Sequence, residues 1–343
     1  MDGAMKLPVG RLLVLLGGTA LGVALLVLLL RSVDLGALGN AFAGADYAYL
    51  LLAIVPFLIN WLLKVPRWAL LFGDDAPPWD TLFGAMNVGY AINALFPARL
   101  GEIVRAYWVR DRAGTSMMLA LSTIALERVL DGTTLIILLV LMLPTVPFPR
   151  QLLGPAFTLG AAFVLLLLIM AVVANSSHRE DTAIGRLLAR LERGRLLPLG
   201  KAVRQIVAGL HALRNGRALL LVLGYTAVVW AANCVFFWLM VRAFHLDVPF
   251  TAGILLAAVL NLGMAVPSSP GYVGVFEYLT VLTLGLYSVG AGTVTHPGAT
   301  AIAAALALHV FAFGPVTVVG LLYIARAGLS VTMGMVRSGA GGT

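Results

Sequence analysis

The sequence predicts an all-α polytopic membrane protein, with about six full spans and two re-entrant broken-helix hairpins arranged as an inverted repeat. Three observations predict it. Hydrophobic residues make up 61% of the 343 positions and charged residues only 11%, against about 25% charged in soluble domains. Apolar windows close to the roughly 20 residues needed to cross a bilayer recur along the whole length. Two of those windows end in proline and glycine instead of a charged flank. The mean hydropathy of +0.99 agrees, and no soluble domain of ordinary size fits between the windows. The chain reads as a single transmembrane domain, 1–343.

The first apolar run, 12–30, follows Lys6 and Arg11 as the core of a signal peptide would. Its length, and the distance to the small-residue triplet Ala41 to Ala43, favour an uncleaved span. Further full spans are expected at 47–63, 116–143, 151–174, 218–241 and 299–325. Segments 81–97 and 251–266 are shorter and richer in Gly, Asn and Thr. Each is followed by a partly apolar stretch, 99–110 and 271–287, so the pairs read as an inner hairpin at about 81–110 and an outer hairpin at about 251–287.

The net charge of +8 would suggest nucleic acid in a soluble protein. Here much of it sits in the segment 178–217, among them Arg186, Arg190, Arg193, Lys201 and Arg204. The positive-inside rule accounts for that, placing the segment on the cytoplasmic side, where it suits anionic lipids or a partner. With two re-entrant hairpins, the N-terminus, the Lys64/Arg67 turn, the Arg105/Arg110/Arg112 cluster and the C-terminus fall on the same side. The expected location is the bacterial cytoplasmic membrane, with both termini cytoplasmic. Span 47–63, the inner hairpin and span 116–143 then repeat, in opposite orientation, as span 218–241, the outer hairpin and span 299–325. Transporters use such inverted repeats of broken helices to build a site near the bilayer midplane. The single cysteine, Cys234, excludes an internal disulfide framework.

The inner break runs from Asn93 through Pro97, Arg99 and Gly101 to Glu102 and Arg105. Proline ends the entering helix, and the returning helix brings Arg99, Glu102 and Arg105 within two turns of one another. Both arginines are candidate phosphate clamps, because a guanidinium meets phosphate through two parallel hydrogen bonds. Span 116–143 carries Glu127, Arg128 and Asp131 near its middle. A mid-span Asp or Arg costs about 2.5–3.5 kcal/mol on insertion, while each Leu or Ile returns about 0.3–0.6. These charges must therefore face protein or water and pair there. Arg128 with Asp131 forms a local i,i+3 pair that fits a structural role as well as a binding one. Glu127 is left to find Arg99 or Arg105.

The outer break contains Asn261, Pro267, Ser268, Ser269, Pro270, Gly271, Gly274 and Glu277. Its serines and the backbone N–H groups opening the next helix form an anion-accepting end. Glu277 is a second buried acid, and with Glu127 and His309 a candidate for proton relay. His309 fits ordinary packing better than a relay. No phosphate-binding Gly-Lys-Ser/Thr loop, His-Glu-x-x-His helix or nucleophile elbow occurs, and neither a cofactor nor a metal is expected.

Taken in order, Asn93, Pro97, Arg99, Gly101, Glu102, Arg105, Glu127, Arg128, Asp131, Pro267, Ser269, Pro270, Gly271, Gly274 and Glu277 resemble the flippase-like transmembrane family of lysylphosphatidylglycerol synthases, over nearly the whole chain. The resemblance implies a stand-alone member without the soluble synthase domain. It also implies a lipid flippase or scramblase in which the arginines hold a headgroup phosphate. Two other expectations compete with transport: a membrane enzyme that modifies a lipid headgroup, and a non-catalytic partner of a synthase. A homo-oligomer fits any of the three, and nucleic acid fits none.

Overall fold

The computed structural model describes residues 20–29, 31, 34–96, 100–145, 150–177, 182, 186, 197–265, 269–287 and 298–327. Every regular element among them is helical. In chain order these are α1 (Ala20–Leu29), α2 (Leu35–Ala43), α3 (Tyr47–Phe72), α4 (Trp79–Leu95), α5 (Gly101–Ala113), α6 (Met117–Met142) and α7 (Arg150–Ser176). They continue as α8 (Leu197–Ala208), α9 (Gly216–Arg242), α10 (Phe250–Gly263), α11 (Val275–Gly285) and α12 (Ala299–Ala327).

The helices starting at Tyr47, Phe157, Gly216 and Ala299 are long and apolar enough to cross a membrane. α6 is as long, at 26 residues, and differs in carrying Glu127, Arg128 and Asp131. The first expected span is described only over α1.

One boundary departs from the sequence reading. Lys64 and Arg67 do not form a turn: α3 runs on through both, and through Pro56 and Pro66, to Phe72. Each proline deletes one backbone donor, but neighbouring helices sustain the helix, as commonly happens in membrane bundles. The chain instead turns at Gly73–Asp75, followed by Pro77 and Pro78.

Packing follows the repeat. α3 lies along α9, the two helices that open the repeats. α4 pairs with α5 as α10 pairs with α11, and α5 meets α6 as α11 meets α12. Across the halves, α4 packs on α12 and α10 on α6. Two buried cores match this division. One, around Trp68, Leu82, Met86 and Trp108, belongs chiefly to α3–α6; the other, around Phe237, Met240, Leu256 and Phe276, belongs chiefly to α9–α12.

Close approach at the crossings depends on glycine. A Cβ on Gly101 would lie 2.1 Å from the Gly89 carbonyl oxygen, so α4 and α5 meet nearly backbone to backbone, as small residues allow in membrane bundles. At the far end of the charged segment, α8 packs on α6, where Ser122 Oγ donates to the Ile206 carbonyl at 2.5 Å.

Candidate functional site

α6 cannot leave Glu127 and Asp131 facing hydrocarbon, and it turns both inward, where they are 1% and 8% exposed. Arg67 reaches across from α3 with its fork on Asp131, Nη1 to Oδ1 at 2.6 Å and Nη2 to Oδ2 at 3.2 Å. The same Nη2 lies 3.1 Å from Glu127 Oε1. Arg105, from α5, donates to Glu127 Oε2 at 2.7 Å. Its guanidinium stacks 3.5 Å from the Trp68 ring centroid, while Trp68 Nε1 donates to Thr123 Oγ1 at 3.0 Å. Trp230 on α9 adds a donor to Asp131 Oδ1 at 3.1 Å.

This arrangement corrects the expected pairing. Arg128 bonds to its neighbour Glu127, Nη2 to Oε1 at 3.0 Å, and the expected Arg128–Asp131 pair does not form. Asp131 is taken by the unforeseen Arg67, whose fork matches a carboxylate bidentately. The expected Glu127–Arg105 contact is present.

Arg105, Arg128 and Asp131 line a cavity of about 300 Å³. Its polar wall includes Lys64, Tyr90, Asn93, Glu102, Arg105 and Arg128. Its apolar wall includes Phe57, Trp61, Phe163, Phe236 and Phe313. Both breaks reach it: Asn93, Gly101 and Glu102 from the inner one, Asn261, Ala265 and Tyr272 from the outer one. The breaks also touch directly, since a Cβ on Gly271 would lie 3.2 Å from the Ala94 carbonyl oxygen.

Lys64, Arg67, Arg105 and Arg128 stand against Glu102, Glu127 and Asp131, four cations against three carboxylates. The Arg128 side chain is 42% exposed and those of Arg67 and Arg105 are 2% and 5% exposed. Arg128 therefore presents a guanidinium to the space, whereas Arg67 and Arg105 are held in the framework. Glu102 Oε2 and Asn233 Oδ1, both in lining residues, have no hydrogen-bond partner among the described residues.

The remaining expected site residues take other places. Pro97, Arg99, Pro267 and Ser268 lie outside the described residues. Asn93 Oδ1 accepts from Gly101 N at 2.8 Å, stapling the two sides of the inner break. Ser269 Oγ donates to the Val273 carbonyl at 2.6 Å within the outer break. The N-cap amide of α11 does not face an incoming anion, because Gly274 N donates to the Glu277 carboxylate three residues on at 2.7 Å. Glu277 bonds in turn to His309 Nδ1 at 2.5 Å, and neither residue is among those lining the cavity.

Arg67, Trp230 and Asn233 were missed by the sequence reading. Arg67 carried a legible signal: the Trp68-Ala-Leu-Leu-Phe72 run after it is apolar, so it could not mark a solvated helix end. Trp230 and Asn233 carried none, as tryptophan and asparagine inside a long apolar span look like packing.

The family model of the lysylphosphatidylglycerol synthase TM region matches residues 14–320. The chain belongs to this family. It is 25% identical over 298 residues to glycosyltransferase AglD of Haloferax volcanii, a match covering 78% of this chain and 48% of that protein. The chain thus spans about half the length of that relative. Over 293 residues it is 25% identical to a UPF0104 membrane protein of Methanothermobacter thermautotrophicus, covering 80% of this chain and 84% of the other. A UPF0104 membrane protein of Methanocaldococcus jannaschii is 25% identical over 205 residues, covering 58% and 80% respectively. No solved structure matches.

Proposed function

We propose that this family member is a flippase or scramblase that carries a phosphate-bearing lipid between the leaflets of a cytoplasmic membrane, without making or breaking a covalent bond. The observation that carries this reading is the shared cavity, bordered by both breaks, with a half-exposed guanidinium on one wall and aromatic rings on the other. A guanidinium beside an apolar wall suits the junction of a headgroup phosphate and its acyl chains. The family takes its name from a synthase of a phosphate-bearing lipid, which supports the same class of ligand.

In this account Arg128 and Lys64, which line the cavity, contact the phosphate. Arg67 and Arg105 act through Glu127 and Asp131 to hold the framework. Glu102 and Asn233 supply acceptors for donor groups of the headgroup.

The hairpins enter and return from opposite faces. Their helices contain 17 and 13 residues in the inner pair and 14 and 11 in the outer pair. At 1.5 Å per residue these measure about 26, 20, 21 and 17 Å, each short of the roughly 30 Å hydrocarbon core. The charged segment and both termini face the cytoplasm in this arrangement, where the segment contacts anionic lipid.

The test uses purified protein in phosphatidylcholine vesicles carrying a trace of fluorescent phosphatidylglycerol and an external quencher. The expected result is access of quencher to nearly all the label, with a rate about tenfold lower in Arg128→Ala, the equivalent of one charge-assisted hydrogen bond. Quenching no faster than in protein-free vesicles would overturn the proposal.

A further inference from the structure

The Glu277–His309 pair lies behind the cavity, and its carboxylate bonds two elements at once. Oε2 accepts from Gly274 N at 2.7 Å, at the end of the outer break, and Oε1 meets His309 Nδ1 of α12 at 2.5 Å. The Glu277 side chain is 4% exposed and that of His309 is 13% exposed. The His309 ring packs against Phe276 and Phe313, with centroids 4.9 and 5.0 Å away, and those two rings lie 5.5 Å apart. Both phenylalanines line the cavity. A displacement of the imidazole therefore displaces a wall of the cavity.

The backbone held by this carboxylate is unusual. Gly271, Tyr272 and Gly274 have φ of 63°, 62° and 83°, and Tyr272, a bulky residue with positive φ, lines the cavity. Such conformations persist where the surroundings over-determine them. Here the surroundings are the capping carboxylate, the Gly22 carbonyl of α1 against Gly274 and the Ala94 carbonyl of α4 against Gly271.

Few other charges face the pair. α1 as described, α2 and α10 carry no titratable side chain. α4 carries Asp80 and Tyr90, and α9 carries Arg217, Tyr225, Cys234 and Arg242. Tyr272 and Tyr278 flank the break, and Tyr323 and Arg326 lie at the far end of α12. Among the described residues, none of these makes a hydrogen bond or ion pair with Glu277 or His309.

We propose that Glu277 and His309 form a proton-binding latch, separate from the headgroup cavity, that holds the outer break against α12 while the proton is bound and loosens it on deprotonation. This rests on the transport reading above and adds its energy coupling. With Glu277 ionised, both carboxylate oxygens accept charge-assisted hydrogen bonds, the stronger kind. A proton taken up by the pair goes to the imidazole, the more basic partner, and makes its contact with the carboxylate an ion pair; loss of that proton leaves a neutral imidazole and a weaker hold between Glu277 and α12. The strained turn and the Phe276–Phe313 wall are then free to rearrange. Glu127 takes no part, because it is fixed by Arg67, Arg105 and Arg128.

The test compares wild type, Glu277→Gln and His309→Asn in the same vesicles, across about pH 5 to 8, the range in which histidine changes charge. The wild-type rate of lipid movement is expected to change about tenfold over that range and to become flat in both variants. Infrared difference spectra of the same samples are expected to show an imidazolium contribution at low pH that His309→Asn loses. Variants that melt at lower temperature yet keep the wild-type pH profile would make the pair a structural staple and overturn the latch. A His309→Asn spectrum identical to wild type would also overturn it. Wild-type vesicles that move no lipid would sink the transport reading alone, and the imidazolium contribution would then decide the proton site by itself.

Discussion

At the inner break charge is held by charge. Glu127 accepts from arginines on α3, α5 and α6, Asp131 from Arg67 and Trp230, and Asn93 staples the turn. At the outer break one carboxylate caps its own helix and reaches one histidine, and the rest of the hold comes from backbone packed on glycine. The halves share a packing plan, so the difference lies in what has been placed on it. The inner half presents a cation to the cavity, whereas the outer half keeps its acid out of the cavity and fixes a strained turn beside it. One half is thus suited to binding and the other to movement.

Substitutions that strike the two halves differently test this contrast. The largest loss is expected from Glu127→Ala, which strips three cations of a shared partner. Breaking a buried ion pair costs about 3–5 kcal/mol, and thermal unfolding in detergent should show a fall larger than for any variant at the outer break. Gly274→Ala should follow, since the added Cβ would lie 1.8 Å from the Gly22 carbonyl oxygen at a φ of 83°. Overpacking costs about 1–3 kcal/mol, and if unfolding shows no loss the outer turn is not held as described. Trp230→Phe keeps the ring but deletes the donor to Asp131, for about 1 kcal/mol by the same assay. Arg128→Ala should move the melting point least, by under about 1 kcal/mol, as expected for a partly exposed pair. Lipid movement should nonetheless slow in that variant, so a large stability loss there would return Arg128 to the framework.

Much of this was legible in advance. Proline and glycine marked both breaks, and the cost of burying Glu127 and Asp131 required inward partners. What escaped is instructive. Arg67 reads in sequence as part of a turn with Lys64, because a charge normally closes a span, yet a cation facing carboxylates on α6 is compatible with continued helix. Arg128 and Asp131 are correctly spaced for an i,i+3 pair, but the bidentate fork of Arg67 is a better partner for Asp131, and a contact from a distant helix leaves no mark on local spacing. The anion-accepting end expected at α11 went to Glu277 for a local reason: an acid three residues inside a helix start is its nearest acceptor. His309, a candidate relay that reads in sequence more like a packing residue, meets Glu277 because α12 packs against α11.

The central claim is that the cavity between the breaks receives the lipid headgroup. Photocrosslinking tests it most directly, using phosphatidylglycerol with a photoactivatable headgroup and mass spectrometry to map the adducts. The account predicts adducts within 86–94 and 261–265, reduced by unlabelled phosphatidylglycerol and by Arg128→Ala. Adducts confined to the outward surface of α7, where Leu165, Leu168 and Val172 are exposed, would contradict it.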